Sequence, residues 1–174
     1  MGRAKKTAGP DKGAVIVQTV SELKDIVFCL QAENKTVVLA NGTFDLLHVG
    51  HMRLLKDARN RGDYLVVAVN SDASVKKYKN PKLPIIGEGE RMELLSGLRW
   101  VDYVILFEDT TCDELITEIK PNIVAKGTDY TEENVPELET IESVGAVVAI
   151  CGDEKKHATS KVIQRIRRLK FTKK

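Results

Sequence analysis

Short, unbroken apolar runs alternate along this chain with longer stretches in which apolar residues recur every three or four positions. The runs fall at 36–40, 64–70, 103–107, 123–125 and 146–151. They are rich in Val and Ile and too short for helices, the pattern of strands buried on both faces. The periodic stretches predict helices over 21–32, 49–61, 88–98, 110–120, 137–144 and 159–169. Ser21 offers an N-cap to the first, Gly62 a left-handed C-cap to the second, and Pro121 closes the fourth. In the last, Val162, Ile163, Ile166 and Leu169 form a stripe expected to face inward.

Strand–helix alternation with short links implies right-handed βαβ crossovers. The expected fold is α/β, a Rossmann-like doubly wound parallel sheet of about five strands in a single domain. Residues 1–13 read as a disordered basic lead, 14–35 as an N-terminal helix, 36–170 as the α/β domain and 171–174 as a basic tail. Such sheets bind ligands beyond the carboxyl ends of their strands. Here those ends carry the loops 41–51, 71–89, 107–111, 126–134 and 151–160, which hold most of the chain's unusual polar residues.

Composition narrows the class. With 174 residues, 43% hydrophobic and 30% charged, the chain can bury a full core. No apolar stretch is long enough to span a bilayer, and the first residues lack a secretory hydrophobic region, so the expected compartment is the cytoplasm. Cys29, Cys112 and Cys151 have no metal-ligand or redox spacing and read as reduced thiols. The net charge of +2 conceals basic ends: four basic residues against Asp11 over 1–13, and seven with no acid over 161–174, on an acidic body. That body and the 5% aromatic content argue against nucleic acid as a partner and for solvated tails.

The densest chemistry follows the first strand of the main domain, in Asn41-Gly42-Thr43-Phe44-Asp45-Leu46-Leu47-His48-Val49-Gly50-His51. A glycine-punctuated loop running into a helix start exposes backbone N–H groups to an anion. His48 and His51 share the first helical turn, and His51 shares a face with Leu54, Leu55 and Ala58. Two imidazoles there suit phosphate chemistry as well as phosphate binding. Asp45 either orients that helix or holds substrate or a metal-bound water. Lys76, Lys77 and Lys79 form a cationic cluster on the next loop, either solvated or meeting phosphates. Arg91 opens a helix where a cation opposes the local dipole, which favours an anion-binding role. Gly87-x-Gly89 reads as a turn. Neither G-x-x-x-x-G-K-[ST] nor a G-x-G-x-x-G after the first strand occurs. Lys126-Gly127-Thr128-Asp129-Tyr130 and His157-Ala158-Thr159-Ser160-Lys161 supply further polar groups, Thr159 and Ser160 at a helix start.

The run from Gly42 to His51 resembles the H-x-G-H signature of the cytidylyltransferase-like nucleotidyltransferases, and Thr159-Ser160-Lys161 resembles their hydroxyl-rich phosphate motif. Residues 69–75, the Glu90-Arg91-Met92 helix start and residues 124–130 extend the likeness toward the nucleotidyltransferase half of the bifunctional ADP-heptose synthases. The resemblance implies transfer of a nucleotidyl group, ATP preferred, to a sugar 1-phosphate such as heptose 1-phosphate. The products would be an NDP-sugar for lipopolysaccharide or surface-glycan precursors and pyrophosphate. It implies catalytic roles for His48, His51, Lys77 and Lys79. Nucleotide contacts would come from Gly42, Thr43, Phe44, Gly50, His51, Lys126, Gly127, Asp129, Thr159 and Ser160, and substrate contacts from Asp45, Arg91 and Tyr130. Mg²⁺ would bridge phosphate oxygens, with few protein ligands. Where some relatives carry an arginine before the second motif, this chain has Lys155, Lys156 and His157. No kinase half is present in the sequence, so a separate kinase and phosphatase are expected to supply the heptose 1-phosphate. A CTP-dependent enzyme of the glycerol-3-phosphate type and a non-catalytic nucleotide- or RNA-binding module are the alternatives, and a homodimer is left open.

Overall fold

The computed structural model describes residues 13–153 and 157–169. Lys155, Lys156, the tail 171–174 and all but the last residue of the basic lead lie outside the described residues. Six strands are present: β1 (Val15–Val17), β2 (Val37–Gly42), β3 (Tyr64–Asn70), β4 (Tyr103–Phe107), β5 (Ile123–Gly127) and β6 (Val147–Cys151). All pair in parallel, in the order β1-β4-β3-β2-β5-β6. The sheet is thus doubly wound and α/β, with six strands rather than five. The extra strand lies in the segment read as wholly helical. Val15-Ile16-Val17 is apolar but only three residues long, and its pairing with β4 at the sheet edge turns it into a strand.

Seven helices connect the strands: α1 (Val20–Ala32), α2 (Val49–Arg59), α3 (Asp72–Tyr78), α4 (Glu88–Ser96), α5 (Asp113–Ile119), α6 (Leu138–Ser143) and α7 (Thr159–Arg168). The cap of α1 is Thr19, whose hydroxyl accepts the Glu22 N–H, rather than Ser21. Helix α3 occupies what the sequence suggested was loop. Only Val75 and Ser74 of it are buried, too few to leave a periodic signature, but Ser71 caps it by accepting the Ser74 N–H. Gly62 is not a left-handed cap. It is needed because a Cβ there would lie 2.7 Å from Val38 Cγ2 and 2.8 Å from the Thr36 carbonyl oxygen. Gly87, read as a turn residue, is the N-cap of α4.

Alternation along the strands divides the core into two layers. Val37 and Leu39 of β2, Val66 and Ala68 of β3 and Val124 of β5 pack with α1, α5 and α6. Val38 and Ala40, Val67 and Val69, and Ala125 pack on the other face with residues of α2 and α4. Helix α7 departs from expectation. It buries no residue, Ile166 and Leu169 are about half exposed, and the helix is tied to the domain at its start, where the Thr159 hydroxyl donates to the Asp45 carbonyl. Among the described residues no helix is long and apolar enough to cross a membrane. Cys112 and Cys151 are buried thiols, Cys29 an exposed one.

From β2 the chain winds through β3 to β4 on one side and, after a crossover, through β5 to β6 on the other. The order reverses between β2 and β5. The loops diverging there leave a crevice above the strand ends.

Candidate active site

A cavity of about 570 Å³ opens at that reversal, a size suited to a small ligand. Fourteen of the sixteen residues singled out from the sequence line it: Gly42, Thr43, Phe44, Asp45, His48, Gly50, His51, Lys79, Lys126, Gly127, Asp129, Tyr130, Thr159 and Ser160. Lys77 and Arg91 do not.

The histidines are arranged by the start of α2. His48 is the N-cap, and its Nδ1 accepts the Gly50 N–H at 3.1 Å. In the neutral ring this fixes the proton on Nε2, leaving an N–H donor. The His51 ring stacks on it, with centroids 3.8 Å apart and planes 16° from parallel, and meets Phe44 edge-on at 5.4 Å. Gly50 is required by this packing: a Cβ there would come within 3.0 Å of the His48 ring and 3.2 Å of His157 Cβ. Burial, reinforced by His48 and Lys79 and opposed by Asp45, pushes His51 down to about 4. His48 is lowered too, by burial first and by His157 second. Both rings are therefore neutral donors near pH 7. Nδ1 of His51 is buried with no hydrogen-bond partner among the described residues. An unmet buried polar atom costs about 1–3 kcal/mol, and a bound ligand would relieve it.

The loop before α2 is strained. Phe44 and Leu46 take φ of 51° and 46°, left-handed values that non-glycine residues avoid. The chain turns sharply on either side of Asp45, which is buried. Its carboxylate accepts the N–H groups of Ile85 and Ile86 at 2.9 and 3.0 Å, pinning the loop between α3 and α4. Asp45 holds the wall through both carboxylate oxygens.

Arg91 is likewise corrected. It is fully buried, and its guanidinium donates to the carbonyls of Ile86, Thr43 and Asn70 and to the Asp72 carboxylate. A substrate anion cannot reach it; it ties the ends of β2 and β3 to the loop before α4. Lys77 fails for a different reason. On α3 the residues at helical spacing, Val75, Tyr78 and then Lys79, face the cavity, while Lys76 and Lys77 are exposed elsewhere. Lys79 Nζ reaches the Thr43 hydroxyl at 2.8 Å, which also bonds Tyr78 OH at 2.8 Å.

Several lining residues were not anticipated. Asn41, Asn70, Tyr78, Thr110, Thr111 and Glu137 all line the cavity. Lys126 Nζ donates to Asn41 Oδ1 at 2.8 Å and to Glu137 Oε2 at 2.7 Å, and Lys126 and Glu137 are each at most 5% exposed. Asn41 and Asn70 carried one readable signal, polar residues ending otherwise apolar strands. Glu137 carried none, because neither its spacing from Lys126, 11 residues before it, nor that from Asn41, 96 before it, is a local pattern. His157 brings the third of the chain's three histidines to the same cavity. Among the described residues there is no group of three or more His, Cys, Asp or Glu able to hold a metal ion.

The model of the cytidylyltransferase-like family matches residues 39–165. Bifunctional protein HldE of Pelobacter propionicus is 46% identical over 136 residues, 78% of this chain and 28% of that protein. Bifunctional protein HldE of Geotalea uraniireducens is 42% identical over 160 residues, 92% of this chain and 32% of that protein. The chain thus spans about a third of the length of the curated relatives it matches. A lipopolysaccharide core biosynthesis protein of Thermoplasma volcanium has a structure similar to this one, with a TM-score of 0.56 and 36% identity, covering 67% of this chain and 93% of that one. A pantoate-beta-alanine ligase of Francisella tularensis, solved with an ATP analogue and beta-alanine, shares the fold at a TM-score of 0.58 and 15% identity, over 83% and 69% of the two chains.

Proposed function

The chain belongs to the cytidylyltransferase-like family of nucleotidyltransferases, and from that premise we propose that it joins a nucleoside triphosphate, ATP by preference, to a sugar 1-phosphate. Heptose 1-phosphate is the proposed acceptor, and a nucleotide-activated sugar for lipopolysaccharide or a related surface glycan the product. The similar Thermoplasma structure, that of a lipopolysaccharide core biosynthesis protein, supports the last of these. The proposed setting is the cytoplasm, where nucleoside triphosphates are plentiful. The observation that carries the reading is the stacked His48–His51 pair, neutral and partly buried, beside Lys79 and with an unmet His51 nitrogen.

In this reading a phosphate oxygen of the acceptor attacks the α-phosphorus in line. The new P–O bond forms as the bond to the β-phosphate breaks, and pyrophosphate leaves with that electron pair. His48 Nε2–H and the His51 ring donate to the transferring phosphoryl oxygens, whose charge they stabilise most in the transition state. Lys79 adds positive charge, drawn from its Thr43 contact. Ser160 and the first N–H groups of α7, that of Thr159 included, receive the outer phosphates, while the Thr159 hydroxyl stays on the Asp45 carbonyl. Leu54 lines the cavity beside Gly127 and Gly152, where an added Cβ would lie 3.2 Å from its Cδ1 and 3.5 Å from its Cα, and offers an apolar wall for the base. When bound, Mg²⁺ would neutralise phosphate charge.

Pyrophosphate release, measured across ATP and CTP against sugar 1-phosphates and glycerol 3-phosphate, tests the proposal. Release with ATP and a sugar 1-phosphate is expected. Release only with CTP and glycerol 3-phosphate would overturn the substrate assignment, and nucleotide binding without release from any pair would overturn the reaction.

A further inference from the structure

The cavity straddles the edge of the sheet, and its two sides differ in chemistry. The histidines, on α2, stand on the layer containing Val38, Ala40 and Ala125. On the opposite layer, the columns that run Val37–Leu39, Val66–Ala68 and Val124 continue into Asn41, Asn70 and Lys126. Three neighbouring strands thus turn from apolar to polar at their last inward-facing position, on one face only. A core that ends this way presents hydrogen-bonding groups to the space above it, and polar groups at that depth are costly unless matched.

The charges on this side cancel. Lys126 is paired with Glu137 at 2.7 Å, so its ammonium offers a donor without a net field for phosphate. One N–H of the ammonium goes to Glu137 and one to Asn41. Among the described residues Glu137 Oε1 has two long contacts, 3.3 Å from Asn41 Nδ2 and 3.4 Å from the Cys112 N–H, and keeps accepting capacity. Thr110 and Thr111 also line the cavity. Donors and acceptors alternate here with little net charge. Such a surface suits vicinal hydroxyls, each of which donates and accepts, better than a phosphate or a flat aromatic base.

We propose that Asn41, Lys126 and Glu137 form the subsite that recognises the hydroxyl groups of the acceptor sugar, so that Lys126 serves the acceptor and not the nucleotide. This inference rests on the acceptor being a sugar phosphate, as argued above, but it is read by binding and not by turnover. Hydroxyl recognition by a buried polar cluster is strongly selective, because an acceptor lacking the hydroxyls leaves the cluster unmatched.

Calorimetric titration of the protein with a panel of hexose and heptose 1-phosphates, glycerol 3-phosphate and inorganic phosphate tests it. The wild type should bind at least one sugar 1-phosphate more tightly than glycerol 3-phosphate or inorganic phosphate, by about tenfold or more. The double variant Lys126→Met/Glu137→Met replaces the buried pair without stranding either charge. It should reduce that preference to about threefold or less, with affinity for ATP and CTP unchanged. Glu137→Gln preserves the shape of the site and should weaken the same preference, which covers the case in which the double variant fails to fold. The proposal is overturned if the preference survives in the variants, if nucleotide affinity falls as far as sugar affinity, or if the wild type does not distinguish sugar 1-phosphates from inorganic phosphate. Failure of pyrophosphate release alongside an intact binding preference would reject the reaction and leave this subsite standing.

Discussion

Replacing His51 with Gln should remove an acid-labile part of the protein's stability. In the folded chain His51 is held at about 4, against an ordinary 6.5, because burial, His48 and Lys79 all disfavour its charged form. The folded value lies below the unfolded one, so the unfolded chain binds the proton more readily. The stability that depends on neutral His51 is therefore complete above the unfolded value and drains away as pH falls toward the folded one. Proton linkage with these two values gives a loss of about 2 kcal/mol between about pH 7 and about pH 4.5. His51→Gln keeps a polar side chain of similar reach but does not titrate. Urea denaturation of both proteins at the two pH values isolates the residue, since every other titrating group is common to both. The wild type should lose about 2 kcal/mol more than the variant over the interval. Parallel losses would refute the argument that the ring is held neutral by its surroundings, and with it the view that His51 acts as a neutral donor.

Three further outcomes follow from single side chains. His48→Ala should lower kcat by about a hundredfold to a thousandfold, the usual loss for one phosphoryl-facing donor, with an unchanged far-UV spectrum; near wild-type turnover would remove the ring from the chemistry. Arg91→Met should cost about 3–5 kcal/mol in urea denaturation, because three carbonyls and the Asp72 carboxylate lose a buried partner; a cost below about 1 kcal/mol would contradict its assignment as a structural tie. Gly62→Ala should lower the melting temperature, at a cost of about 1–3 kcal/mol, since its Cβ would meet the Thr36 backbone oxygen at 2.8 Å, and should leave the KM for nucleotide unaltered at low temperature.

Much of this protein was legible in the order of its residues. Strand and helix positions follow from local periodicity, which is a property of a few consecutive side chains. That is why five of the six strands and six of the seven helices were legible, while β1 and α3, with one and two buried residues, were not. The glycine-flanked histidine pair was legible for the same reason, since one helical turn sets its geometry. The family likeness rested on that segment.

The strand order decided the rest. By setting β2 between β3 and β5, it brought Asn41, Lys126 and Glu137 together from positions up to 96 residues apart, and no local pattern announces such a meeting. It also reversed two expectations about charge. By sequence Asp45 is open to orienting α2 or holding a ligand, and Arg91 favours an anion because a cation at a helix start opposes the dipole. In the fold two backbone N–H groups bond Asp45, and three carbonyls with Asp72 take Arg91. A sequence records which side chains can hydrogen-bond, but only the folded chain determines whether protein or ligand takes the bond, because the partners are fixed by packing across the sheet and not by neighbours along it.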